Sequence, residues 1–89
     1  MSEIQVYVHS TNKGEAYDFI VNENIKLLDF RKMVADRVGI PYQNLVLVAS
    51  KELNYNYTYN SKTLREIGMY DQITLYAVLN VGGGKHIYK

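Results

Sequence analysis

His9 and His86 are the two histidines in this 89-residue chain, and there is no cysteine. Nucleophilic catalysis needs a hydroxyl or thiol within hydrogen-bond reach of a base that a third group orients. Neither histidine has a nucleophile and an orienting acid beside it in sequence, and a lone histidine on a strand or tail is ordinarily structural or solvent-facing. Without cysteine there is no disulfide framework, thiolate nucleophile, zinc–thiolate site or cysteine-ligated iron–sulfur cluster, so a reducing compartment is compatible. The expectation is a protein with no intrinsic enzyme activity, metal or cofactor. Gly82-Gly83-Gly84-Lys85 has the look of a phosphate loop, but four residues remain after Lys85. That is too few for the helix whose N-terminal amides would hold the phosphates. Nine tyrosines could stack on nucleic-acid bases. Such binding also needs a basic groove to supply its dominant electrostatic term.

Charge does not supply that groove. Ten Lys and Arg stand against nine Asp and Glu, a net charge of +1, so nucleic acid and acidic membranes are disfavoured as partners. With 47% hydrophobic and 21% charged residues the composition is that of a soluble globular domain, and the length allows one core. The opening Met1-Ser2-Glu3-Ile4 lacks the basic start and apolar run of a secretory signal, which gives a cytoplasmic expectation. No apolar run approaches the ~18 residues of a membrane span. Asn56-Tyr57-Thr58 matches a glycosylation sequon, a chance match in a cytosolic chain.

Periodicity supplies the elements. Ile4, Val6 and Val8 alternate with polar or amphipathic residues, Tyr17, Phe19 and Val21 alternate with Asp18, Ile20 and Asn22, and Asn12-Lys13-Gly14 between the runs is a turn signal. The two runs read as an antiparallel hairpin. Leu27, Phe30, Val34 and Val38 are spaced by three and four, which predicts an amphipathic helix over about Lys26 to Val38. Asn24 is a candidate N-cap, and Gly39 followed by Pro41 ends the helix. Leu45 to Ala49 and Ile73 to Val81 read as strands, and Thr63 to Gly68 as a single helical turn. The alternation in Asn54 to Asn60 fits either a short strand or a tyrosine-rich loop. One helix covers one sheet face, so the architecture is α+β with the other face wet. If Leu45, Leu47, Leu75, Ala77 and Leu79 point at the helix, then Val46, Val48, Tyr76, Val78 and Asn80 point to solvent.

The element order, Gly39-Ile40-Pro41 after the helix and Gly82-Gly83-Gly84 after the last strand resemble ubiquitin and its relatives over essentially the whole chain. Val21 through Pro41 matches the family spacing without a gap, and Lys51-Glu52-Leu53, Thr63-Leu64 and Thr74 through Gly84 carry the rest. The resemblance implies a β-grasp fold, a mixed sheet of four or five strands packed on one helix, over residues 1–81. Residues 82–89 are then a glycine tail and propeptide. It further implies a modifier: a processing protease cuts between Gly84 and Lys85, and an adenylating enzyme activates the carboxylate with ATP. A carrier enzyme takes it as a thioester, and target proteins receive it on an amine. Gly83 and Gly84 are the conjugation residues, since glycine alone lets the backbone pass through a narrow enzyme channel.

The family's partner surface falls on Val48, Val78, Tyr76 and Thr11. Alternation independently turns Val46, Val48, Tyr76 and Val78 outward, and an apolar cluster on a wet face marks a partner surface. Strand propensity of β-branched residues is the competing explanation. Asn80 stands where the family has an arginine read by its activating enzyme, and Val46 also replaces a basic residue, which points to separate machinery. Lys51 resembles a chain-linking lysine, or is simply a solvated charge. Two rival functions remain: a noncovalent interaction module that binds through Val48, Val78 and Tyr76, and a sulfur carrier, whose family members end at the diglycine without five further residues.

Overall fold

Alternation along the first two strands puts five apolar side chains on one face. In the computed structural model, which describes residues 2–11, 14–50, 53–55 and 59–79, they form the floor of the core. Strand β1 (Glu3–Ser10) buries Ile4, Val6 and Val8, and β2 (Glu15–Asn22) buries Phe19 and Val21. The strands pair antiparallel from Glu3 opposite Asn22 to Ser10 opposite Glu15. Gly14 closes the turn at φ +70°, its N–H donating to the Ser10 carbonyl at 2.8 Å.

The helix α1 (Leu27–Val38) buries Leu27, Phe30, Val34, Ala35 and Val38 against this floor. Asn24 is not its cap. Lys26 occupies the N-cap position with no side-chain hydrogen bond, and Asn24 instead donates its N–H to Asn22 Oδ1. The first helical N–H groups, which lack intrahelical partners, find distant ones: Leu27 donates to the Lys62 carbonyl at 2.8 Å and Leu28 to the Asn60 carbonyl at 3.3 Å. A loop from the other end of the sequence therefore does the work expected of a local cap. At the C-terminus Gly39 is left-handed at φ 79°, and the N–H groups of Gly39 and Ile40 both donate to the Ala35 carbonyl.

Beyond a 3-10 turn at Tyr42–Asn44, β3 (Leu45–Ser50), β4 (Leu53–Tyr55) and β5 (Ile73–Leu79) complete, among the described residues, a five-stranded mixed sheet in the order β2-β1-β5-β3-β4. The central pair, β1 with β5, is parallel, and the other pairs are antiparallel. The ambiguous tyrosine-rich stretch is thus divided. Leu53–Tyr55 is a strand and Tyr59 and Asn60 lie in a turn, while 56–58 lie outside the described residues. Thr63 to Gly68 is a single turn, closed by the Ile67 N–H donating to the Thr63 carbonyl at 3.2 Å and ended by Gly68 at φ +89°. Within it Thr63 donates its N–H to Glu66 Oε1 and Glu66 donates its N–H to Thr63 Oγ1, a reciprocal capping box. That bonding holds the Glu66 carboxyl below its usual range, the Thr63 N–H being the largest cause. Among the described residues no helix is long and apolar enough to cross a membrane.

Arg31 is a charged side chain of α1 that lies buried. It is 3% exposed and donates from Nη2 to the carbonyls of Tyr42 and Leu45, both at 2.7 Å, and from Nη1 to Asn60 Oδ1 at 3.1 Å. One side chain thereby ties α1 to the start of β3 and to the loop that caps the helix. Burial lowers its basicity from the ordinary value.

Candidate docking face

Because the helix covers one side of the sheet, every outward-pointing strand residue contributes to the opposite side. The register fixes which of them touch. Val48 lies opposite Tyr76 and Val46 opposite Val78 across β3 and β5. Across the parallel pair Tyr76 lies opposite His9, and across the hairpin His9 lies opposite Ala16. One row, Ala16, His9, Tyr76 and Val48, therefore crosses four strands. At its centre the His9 and Tyr76 rings stack, with centroids 5.4 Å apart and planes 26° from parallel.

The four apolar residues read from the sequence as a surface are brought together. Tyr76 is 43% exposed, but Val46, Val48 and Val78 are half-buried, not fully exposed. The reason is their own packing, since cross-strand neighbours only ~5 Å apart cover one another. Thr11 sits at the end of β1 beside the same part of β5. Its N–H and its hydroxyl both donate to the Ala77 carbonyl, at 3.2 and 3.1 Å, so its polar groups brace the strand junction. Asn80, Gly83, Gly84 and Lys85 lie outside the described residues.

Two residues of this face are not in the sequence-derived set. His9 joins it only through the β1–β5 pairing, which links positions more than sixty residues apart and leaves no local trace. Ile20, opposite Gln5 on β2, is 67% exposed on the same side of the sheet. Its signal was present, for it alternates with the buried Phe19 and Val21. On the opposite side of β2, Arg37 lies over the rings of Tyr17 and Phe19, 5.2 and 5.5 Å from their centroids. The Tyr17 hydroxyl donates to the Glu15 carboxylate, which raises its pKa above the phenolic value. No group of three or more His, Asp or Glu side chains is gathered for a metal ion among the described residues.

No protein-family model and no curated protein matches the sequence. Solved structures do match the fold. The ubiquitin-like domain of Plasmodium falciparum Dsk2 superposes with a TM-score of 0.75 at 23% identity, covering 88% of this chain and 99% of that one. A ubiquitin-like domain of an Arabidopsis thaliana protein gives 0.77 at 13% identity, over 96% of this chain and 85% of the other. A chain in the crystal structure of the pParkin–pUb–UbcH7 complex gives 0.71 at 19% identity, with 89% of this chain covering 23% of it. Strand order, the parallel central pair and the single helix across one face agree with these likenesses: the chain has the ubiquitin-like β-grasp fold.

Proposed function

We propose that this chain is a noncovalent ubiquitin-like interaction domain of the cytoplasm, which binds a protein partner through the outer face of its sheet and performs no chemistry itself. The observation that carries the reading is the apolar cluster of Tyr76, Val48, Val78 and Val46, held in register on the side the helix leaves open. Such clusters on a wet face are usual docking surfaces. The similarity to ubiquitin-like domains, Dsk2's among them, favours this reading over that of a conjugated tag. Val48→Asp and Tyr76→Asp each place a charge on the face, away from the core. Both variants should keep the wild-type circular-dichroism spectrum and cooperative melt, yet lose at least tenfold in affinity for partners identified with the wild-type chain. Unchanged affinity in both variants would remove the docking role.

A second reading rests on a different observation. Gly82-Gly83-Gly84 begins three residues past the end of β5, and Lys85 to Lys89 follow it. A modifier would be cut between Gly84 and Lys85, adenylated with ATP at the Gly84 carboxylate, moved as a thioester to a carrier enzyme and joined to a target amine. Intact-mass analysis after incubation with lysate of the source cells separates the readings. A product ending at Gly84, lost in Gly84→Ala, supports the modifier, whereas persistence of the full-length mass leaves the docking domain.

A further inference from the structure

Strand β2 stands at one end of the sheet, with no strand beyond it among the described residues. Its partner β1 shows which of its main-chain groups are already spent. Gln5 turns both of its own toward the residues just ahead of β5, accepting from the Gln72 N–H at 2.6 Å and donating to Asp71 Oδ1 at 2.7 Å. Main-chain groups alternate from side to side along a strand, so the even positions of β1 serve β2. They lie opposite odd positions there: Ile4 opposite Val21, Val6 opposite Phe19 and Val8 opposite Tyr17. Ile20, Asp18 and Asn22 therefore turn their main-chain groups outward, and of these the Asn22 carbonyl already accepts from the Ile25 N–H.

Such an edge is ordinarily guarded by lysine, proline, a bulge or mere shortness. β4, at the other end of the sheet, is three residues long. β2 runs eight residues in unbroken register without lysine or proline, its charges being Glu15 and Asp18. Ile20 stands 67% exposed on it. Met33, also exposed, overhangs the same edge from α1, one turn before the Arg37 that lies over Tyr17 and Phe19.

We propose that the chain dimerises by pairing β2 antiparallel with β2 of a second copy, about a two-fold axis at Ile20. Residues opposite one another in a sheet share a face, so a symmetric pair must centre on a residue. An axis at Asp18 sets that carboxylate against its own copy, and one at Phe19 sets Glu15 against Glu23. Axes at Tyr17 or Val21 set Glu15 or Glu23 against the apolar Phe19. The axis at Ile20 sets Ile20 against Ile20, Phe19 against Val21 and Asp18 against Asn22. Asn22 Oδ1 accepts from the Asn24 N–H, which leaves its amide NH2 to donate to the facing carboxylate. Ile20 exchanges both main-chain bonds across the axis and each Asn22 N–H reaches an Asp18 carbonyl, about four bonds in all. The seam is short and belongs to the weak class of interfaces. It leaves Tyr76, Val48, Val46 and Val78 uncovered, so it stands independently of the docking reading. Both copies then present that cluster on one side of a continuous sheet, a bivalent surface.

The test uses the full 89-residue chain in sedimentation equilibrium and amide spectra from ~10 µM to ~1 mM, which brackets weak interfaces. The mass should climb from one copy toward two. The amides of Ile20 and Asn22 should shift with concentration more than those of Tyr17, Phe19 and Val21, whose N–H groups face β1. Ile20→Lys and Ile20→Glu should each keep the wild-type melt and stay monomeric, because like charges meet at the axis. An equimolar mixture of the two variants should associate again. A wild-type mass of one copy at ~1 mM would overturn the dimer. Shifts confined to other strands, or association that Ile20→Lys leaves intact, would overturn the β2 seam. A mixture that stays monomeric would overturn the axis at Ile20.

Discussion

Arg31 is a buried cation whose partners are neutral: two backbone carbonyls and an amide oxygen. Removing it strands those acceptors in the interior, and each buried group left unsatisfied costs ~1–3 kcal/mol. Arg31→Ala should therefore lower stability by about 2–4 kcal/mol in denaturant unfolding. Arg31→Lys should recover only part of that loss, since an ammonium group lacks the planar fork that reaches the Tyr42 and Leu45 carbonyls together. The residue's burial was partly legible. Position 31 belongs to the arc of Leu27, Phe30, Val34 and Val38, one step from Phe30 and four from Leu27. Its identity argued for solvent while its spacing argued for the core, and the spacing prevailed because loop carbonyls were there to receive it.

Elements whose hydrophobic period is local were readable, and those fixed by remote partners were not. The hairpin and helix follow from alternation and from three-and-four spacing. The start of the helix does not, because its first N–H groups are met by the carbonyls of Lys62 and Asn60, which no nearby residue announces. That loop is braced in turn by the capping box of Thr63 and Glu66, and here pH acts on the fold. The Glu66 carboxyl has a lowered pKa in the folded chain. Its contribution is thus present above the pKa of an unfolded glutamate and is lost as pH falls through the lowered folded value. Glu66→Ala should melt below wild type at pH 7, and the gap between the two melting curves should close as acidification passes the lowered folded-state pKa. A gap that persists unchanged at low pH would show that the carboxylate is not its source.

For the molecule as a whole, the decisive property is that one sheet has two unlike sides. Leu47 and Val48 are neighbours, yet Leu47 is fully buried against the helix and Val48 belongs to the open face. Leu47→Asp should abolish the cooperative melt, while Val48→Asp should leave it in place. Burying an uncompensated carboxylate exceeds what a domain with a total stability of ~5–15 kcal/mol tolerates. Which residues share the face was legible within each strand. Which touch across strands was not, since the β1–β5 register joins the two ends of the fold.

That same register decides how the fold meets tension. Strands β1 and β5 run side by side in one direction, with Val6 beside Ile73 and Ser10 beside Ala77. A pull on Glu3 against Leu79 drags the two strands lengthwise past each other, so the rungs between them bear the load together and must yield together. Strands peeled from one end would part rung by rung under far less force. Any larger assembly that tethers the chain by its two ends would thus load this seam in shear.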